Sequence, residues 1–191
     1  CMILVTLSFV SIGARSGDLT LAVNALIMQL FILFSYFMDG FAYAGEALCG
    51  KYYGAGDSVS FRSLVRRLYV WGAAMTVVFT VLYAVGGQDF LGLLTSDTHV
   101  VRAAMRYLPW AVAIPVCGVM AFIYDGVFIG VTATRGMLVS SALATALFFV
   151  LYLSLSTTIA NDGLWIAFLA YLACRGAVQG VIVHKSKFMS V

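Results

Sequence analysis

Two carboxylates interrupt an apolar stretch of this sequence, "FSYFMDGFAYAGEALCGKYYGAGD" at residues 34–57. Asp39 and Glu46 are seven residues apart, close to two turns of an α-helix, so they share nearly one helix face. Tyr36 and Tyr43 flank Asp39 on that face, and their hydroxyls are its expected hydrogen-bond partners. Carboxylates beside phenols can take up a proton or a cation. The spacing therefore predicts a proton, cation or substrate-cavity site.

Two further charged residues lie in apolar stretches, Asp125 in "FIYDGVFIG" and Arg175 in "YLACRGAVQG". Charged groups inside a membrane span are costly, so they normally face a bundle interior and are paired or functional. Arg175 can neutralise one acid, either Glu46 or Asp125, and an unpaired buried carboxylate takes up a proton rather than remain charged. Charge counting therefore predicts a paired Arg175 and a proton-exchanging Asp39. Purely structural hydrogen bonds or a structural salt bridge are the alternative roles.

The composition places these residues in a bilayer. The chain has 191 residues, of which 63% are hydrophobic and 10% charged, with a mean hydropathy of +1.03. Soluble domains are about half apolar and about a quarter charged. Lipid offers the backbone no hydrogen-bond partners and the apolar runs do not alternate, so they are expected to be helices. The sequence predicts an all-α bundle of six transmembrane helices, the first one clipped, over residues 1–12, 20–52, 64–86, 104–132, 137–159 and 163–183.

The basic residues predict the orientation of the bundle. An excess of lysine and arginine marks the cytoplasmic side. One set of loops and the C-terminal tail carry seven basic residues, Lys51, Arg62, Arg66, Arg67, Arg135, Lys185 and Lys187. The opposite loops carry three, Arg15, Arg102 and Arg106. The C-terminus is therefore expected in the cytoplasm, and an upstream segment is expected to enter from the same side. The net charge of +3 is too small and too scattered to indicate a nucleic-acid partner.

Glycines and prolines predict how the helices pack. Pro109 and Pro115 each remove a backbone donor, so the fourth helix, predicted over residues 104–132, is expected to bend between them. The tryptophans Trp71, Trp110 and Trp165 lie near predicted span ends, where they are expected to anchor at the membrane interface. Small residues four apart allow close helix contact, and three such pairs occur: Gly50 and Gly54, Gly126 and Gly130, Gly176 and Gly180.

Enzymatic and metal chemistry are not indicated. The four cysteines occur singly, without a CxxC pair, so neither a zinc site nor a disulfide framework is expected. The sequence has no GxSxG or HExxH motif and no histidine in any predicted span. We therefore expect no enzyme, no metal and no cofactor.

The motifs and their order resemble a known family. The stretch at residues 34–57 ends in G-x-x-x-G-A-x-D, and "FIYDGVFIGVTATRGM" adds D-G-x-x-x-G. Together with the helix spacing, they resemble the second lobe of the multidrug and toxic compound extrusion (MATE) family, nearest its DinF-like branch, over essentially the whole chain. The resemblance implies a twelve-helix transporter in which residues 1–191 form the C-terminal lobe and a missing N-terminal lobe is the partner. It also implies export of cationic, amphipathic compounds across the inner (plasma) membrane of a bacterium.

The resemblance also bears on the coupling ion. Asp125 matches the acidic residue that the family places in its tenth helix. The seventh-helix glutamate of sodium-coupled relatives has no match in "CMILVTLSFVSIGARSGD", and the proton-linked aspartate of the first helix would lie in the absent lobe. The resemblance and the charge counting both favour proton entry, with sodium as the alternative.

Two other functions remain as alternatives. A flippase for lipid-linked precursors is expected to need several basic residues for a pyrophosphate, and Arg175 is the single deep one. A membrane scaffold or assembly subunit has no reason to retain deep acids.

Overall fold

Over the residues that the structure describes, the chain folds into helices joined by short turns. This computed structural model describes residues 2–185, apart from the side chains of residues 156–158 and 160, so Cys1 and Lys187 lie outside it. All-α architecture is thereby confirmed for that range. Its elements are α1 (Met2–Arg15), α2 (Asp18–Gly54), α3 (Ser58–Leu94), α4 (Thr98–Met105), α5 (Leu108–Gly130) and α6 (Thr134–Lys185).

Five segments in the described range are long and apolar enough to cross a membrane. Three are the whole helices α2, α3 and α5, and two lie within α6, at Thr134–Leu155 and Asn161–Lys185. The shorter α1 is also apolar. These six segments correspond to the six apolar blocks of the sequence, as the all-α membrane bundle requires.

The two spans within α6 are joined by a reversal of the chain. The backbone is helical from Thr134 to Lys185, yet a Cβ placed on Gly163 would lie 3.0 Å from the Cβ of Leu155. Eight residues of straight helix would separate these positions by about 12 Å. The chain therefore turns back between them, and we call Thr134–Leu155 the first part of α6 and Asn161–Lys185 the second part.

The helices α2 and α3 extend beyond their apolar blocks. Each has 37 residues and would measure about 55 Å if straight, more than the roughly 30 Å of a hydrocarbon core. The extension of α3 begins at a capped N-terminus, where Oδ1 of Asp57 accepts a hydrogen bond from the backbone N–H of Ser60 at 3.0 Å. The cap allows α3 to begin at Ser58 rather than at the first apolar residues.

This cap should make the stability of α3 sensitive to acid. Hydrogen bonds from the side chain and backbone of Ser60 lower the pKa of the exposed Asp57 carboxyl below its usual 3.8. A carboxyl with a lower pKa in the folded state stabilises that state above its unfolded pKa, and the contribution is lost as the pH falls through the folded pKa. We expect the stabilisation to be complete at neutral pH and to decline below about pH 4.

The variant Asp57→Asn tests this expectation, because asparagine caps a helix without titrating. The variant should unfold thermally with a weaker pH dependence than the parent protein between about pH 3 and about pH 7. Asp18→Asn is a matched control at the start of α2, where no side chain caps the helix. Equal acid dependence of Asp57→Asn and the parent would contradict the role of the cap.

The closest helix contact joins α2 to α5. A Cβ on Gly130 would lie 2.6 Å from the carbonyl oxygen of Glu46, and a Cβ on Gly50 would lie 3.1 Å from the carbonyl oxygen of Gly130. Gly126 likewise faces the backbone of Ala42. The two backbones can touch because these positions lack side chains, which is how helices associate in lipid.

The other side of α5 packs against the second part of α6. A Cβ on Gly176 would lie 2.8 Å from the Cβ of Met120, and a Cβ on Gly180 would lie 3.1 Å from the hydroxyl of Tyr124. Gly54 differs, because a Cβ there would meet no atom within 4 Å. Five of the six predicted glycines therefore lie at close helix contacts, whereas Gly54 meets no other helix within the described residues.

A methyl group at Gly126 should force α2 and α5 apart. We expect Gly126→Ala to lower the free energy of unfolding by about 1–3 kcal/mol, because the backbone of Ala42 cannot move aside as a flexible side chain can. Gly54→Ala is the matched control and should change it by less than about 0.5 kcal/mol. Thermal unfolding in detergent measures both. Equal stability of the two variants would show that the backbones do not meet at Gly126.

The two prolines differ in position. Pro109 lies in the first turn of α5, where its missing N–H has no intrahelical partner to lose. The predicted block at residues 104–132 is instead divided at residues 106–107, between α4 and α5. Pro109 therefore starts a helix, and the predicted bend is wrong at that residue. Pro115 lies inside α5, where a bend stays a prediction.

Buried amides join α2 to the second part of α6. The side chains of Asn24 and Asn161 exchange hydrogen bonds of 2.7 and 2.9 Å, and Nε1 of Trp165 donates to Asn24 at 3.0 Å. Trp165 is fully buried, so its prediction as an interface anchor is wrong. Its indole N–H is satisfied by an amide instead of by the membrane interface.

The described basic residues separate between the two ends of the bundle. The contact of Gly50 with Gly130 places the end of α2 beside the end of α5, and Gly136 contacts Ile182 near the end of α6. At the opposite end, Arg106 pairs with Asp162 at 3.5 Å. The first end, which we call the basic end, carries Lys51, Arg62, Arg66, Arg67, Arg135 and Lys185.

Candidate functional site

The centre of the candidate site is a buried ion pair between α5 and the second part of α6. Arg175 donates through Nη2 to Oδ2 of Asp125. Gln179 donates through Nε2 to the other carboxylate oxygen at 2.7 Å. The close contacts of Gly176 and Gly180 with α5 bring these side chains within reach. Each oxygen of the carboxylate thus has one donor.

This pair confirms that Arg175 is paired rather than directed at lipid. Asp125 is the partner, and Glu46 forms no ion pair within the described range. The arginine is only 7% exposed, so its charge depends on this partner. Asp125 neutralises Arg175, and the half-buried acids Asp39 and Glu46 form no ion pair in the described part of the chain.

Unused hydrogen-bonding capacity surrounds the pair. Within the described structure, the buried atoms Oη of Tyr171, Nε of Arg175 and Oε1 of Gln179 have no hydrogen-bond partner. The three residues are spaced four apart on the second part of α6 and so lie along one face. Leaving a buried polar atom unpaired costs about 1–3 kcal/mol. These polar atoms therefore lie together on the face of the second part of α6 that carries the ion pair.

Asp39 lies on α2 close enough to interact electrostatically with Asp125 and Arg175. It is half-buried and accepts no hydrogen bond from a described residue. Tyr36 and Tyr43 are 71% and 68% exposed, and neither donates to Asp39. The predicted hydrogen bonds are therefore wrong for the described residues, since both phenol rings are largely exposed. Asp39 thus interacts electrostatically with the ion pair but forms no hydrogen bond to it.

Glu46 occupies the same helix face, two turns nearer the basic end. Its side chain is half-buried, and its backbone carbonyl faces Gly130 of α5. The face of α2 therefore carries Tyr36, Asp39, Tyr43 and Glu46 in the predicted order. The structure brings one member of this stripe, Asp39, into the electrostatic neighbourhood of the ion pair.

Sequence reasoning missed Gln179 and Tyr171. Their signal was available, because they lie four residues after and four residues before Arg175 and so share its helix face. Within the described residues, no group of three or more His, Cys, Asp or Glu side chains could hold a metal ion.

Comparison with known proteins identifies the family. The model of the MatE family matches residues 1–155. The chain belongs to the MatE family. This MatE chain is 40% identical over 174 residues to "DNA damage-inducible protein F" of Escherichia coli (strain K12), a match that covers 91% of the chain and 38% of that relative. It is 28% identical over 175 residues to "Protein DETOXIFICATION 42" of Arabidopsis thaliana, covering 91% of the chain and 34% of that relative.

These matches confirm the resemblance to the MATE family and its DinF-like branch. The chain spans little more than a third of the length of these relatives. Asp39 and Asp125 lie in the region that the MatE model matches, whereas Arg175 and Gln179 lie beyond its end at residue 155. Together with the apolar helices, the family makes this a multi-pass membrane protein. No solved structure matches the chain.

Proposed function

We propose that this chain is the C-terminal six-helix lobe of a transporter that exports cationic, amphipathic organic compounds in exchange for protons. MatE membership and the word "DETOXIFICATION" in the names of relatives support the export of toxic compounds. The proposed partner is an N-terminal lobe of six more helices, since the chain covers 38% of the Escherichia coli relative. The proposed location is a bacterial inner membrane, with the basic end and the C-terminus in the cytoplasm.

The charge balance is the observation that carries the proposal. Asp125 and Arg175 neutralise each other, and Asp39 forms no ion pair with a described residue. A carboxylate in that position can be neutralised by a proton or by a cationic substrate. Because it carries a single negative charge, it binds one of them at a time. Mutually exclusive occupancy of one carboxylate is what proton-coupled antiport requires.

The surroundings of Asp39 suit an organic cation. The exposed rings of Tyr36 and Tyr43 lie on the same face of α2, and aromatic faces attract cations by about 0.5–2 kcal/mol. The phenol hydroxyls can also donate hydrogen bonds to a bound compound. Amphipathic cations present both a charge for the acid and an apolar body for the rings.

Glu46 lies between Asp39 and the basic end. The two acids are seven residues apart, which is about 10 Å of helical rise. We assign Glu46 the role of a second proton acceptor on the path from Asp39 towards the basic end. The ion pair, held by Gln179, keeps Arg175 from occupying Asp39 permanently.

Transport by the protein in liposomes tests the function. The full protein that contains this chain is reconstituted, and efflux of a cationic dye is followed under an imposed pH gradient or an imposed sodium gradient. We expect the pH gradient to drive efflux, an ionophore that collapses it to stop efflux, and an anionic dye of similar size to remain unmoved. Efflux driven by sodium alone would contradict proton coupling, and the absence of any dye efflux would contradict export.

A further inference from the structure

An open groove runs between α5 and the second part of α6, on the side of α5 away from α2. Its volume is about 770 Å³. Gly176 and Gly180 form the floor, where their missing side chains let α5 approach. We call it the α5–α6 groove and define it by Val116, Met120, Gly176, Gly180, His184 and Lys185.

The α5–α6 groove is polar at one end and apolar along the rest. Its walls include Val116, 60% exposed, and Met120, 42% exposed. His184 and Lys185 are exposed at the basic end, and neither forms an ion pair in the described part of the chain. From Ala173 to Lys185 the groove extends about 18 Å, slightly more than one leaflet of a hydrocarbon core about 30 Å thick. Its length and polarity therefore match those of one phospholipid.

We propose that the α5–α6 groove binds one anionic phospholipid from the leaflet at the basic end. The ammonium group of Lys185 and the imidazole of His184 bind the headgroup phosphate, and an acyl chain lies over Gly176 and Gly180 towards Val116. Each lysine near a membrane surface favours anionic lipid by about fivefold in affinity. This inference is independent of the transported compound, because the groove does not include Asp39.

The α5–α6 groove lies next to the residues of the ion pair. Gly176 follows Arg175 directly in the sequence, and Tyr124 on the groove wall precedes Asp125. A lipid in the groove thus lies beside the contact between α5 and α6 that holds the pair.

Lipid titration of the full protein tests the proposal. Dioleoyl phosphatidylglycerol and dioleoyl phosphatidylcholine are added separately in detergent, and bound lipid is counted by native mass spectrometry. We expect tighter binding of phosphatidylglycerol, and about fivefold weaker binding of it by Lys185→Gln. Lys51→Gln is the matched control at the same end on α2, outside the groove, and should weaken the binding less than Lys185→Gln does.

A second pair of variants tests the apolar part of the groove. Val116→Trp should reduce phosphatidylglycerol binding by filling the end of the groove farthest from Lys185. Val85→Trp is the control and should not reduce it, because Val85 is 82% exposed on α3 outside the groove. Both valines are exposed, so both variants should remain folded, which size-exclusion chromatography checks. Equal binding of the two lipids, or unchanged binding by both Lys185→Gln and Val116→Trp, would overturn the proposal. Full displacement of the lipid by glycerol phosphate would overturn it as well, since it would show a phosphate site without a chain site.

Discussion

Arg175→Leu is expected to destabilise the protein by about 3–5 kcal/mol. The substitution leaves the carboxylate of Asp125 with Gln179 as its remaining donor, inside a contact formed by α5 and α6. A buried charge without its counter-ion is far more costly than the loss of an exposed ion pair. The expected result is a large drop in the temperature of unfolding in detergent, together with a lower yield of folded protein.

Two further variants separate the charge effect from the loss of a large side chain. The double variant Asp125→Leu with Arg175→Leu should be more stable than Arg175→Leu alone, because it leaves no uncompensated charge. Arg106→Leu is the matched control at an exposed pair, where the arginine side chain is 75% exposed, and should cost less than about 1 kcal/mol. A double variant as unstable as Arg175→Leu would show that packing, and not charge balance, governs this contact.

Asp39→Asn is expected to abolish proton-driven efflux, with transport in liposomes falling to the level of liposomes without protein. Asparagine keeps the size and the hydrogen-bonding ability of aspartate but cannot titrate or carry a charge. Asp39 accepts no hydrogen bond from the described residues, so the substitution should leave expression and thermal stability near those of the parent. Loss of transport with normal folding would therefore report the exchange of charge at this carboxylate.

The controls for Asp39→Asn distinguish coupling from structure. Asp89→Asn removes an exposed carboxylate at the far end of α3 and should leave efflux unchanged. Glu46→Gln should slow efflux without abolishing it if Glu46 passes protons towards the basic end. Efflux retained by Asp39→Asn, with its usual dependence on pH, would assign Asp39 to structure and leave Glu46 or Asp125 to carry the coupling.

Parts of the site could be read from the sequence because helical periodicity is local. The order of Tyr36, Asp39, Tyr43 and Glu46 on one face of α2 follows from the rise and turn of a helix. The pairing of Arg175 followed from charge counting, because an unpaired buried guanidinium is too costly to persist. The sequence could not show that Arg175 pairs with Asp125 rather than with Glu46. That choice depends on how closely α5 approaches α6 in the folded structure.

Other expectations failed where packing between distant segments decides. Pro109 and Trp165 were assigned by their positions along apolar blocks, yet Pro109 begins α5 and Trp165 lies in the core beside Asn24. Gly54 follows the same spacing as Gly126 and Gly130, but among the described residues no other helix lies within 4 Å of a Cβ placed there. A residue pattern shows that a close contact is allowed without showing which helix supplies the other surface.

The sequence by itself determined that this is an all-helical membrane protein and which residues carry the charges within it. Lipid provides no hydrogen-bond partners, so each apolar stretch has to satisfy its own backbone locally as a helix, and hydropathy alone reports that. Only the tertiary structure decided that Gln179 and Arg175 hold Asp125 while Asp39 has no partner among the described residues. Those contacts join residues about 50 positions apart, and they depend on the distance between helix backbones that the glycines at α5 permit.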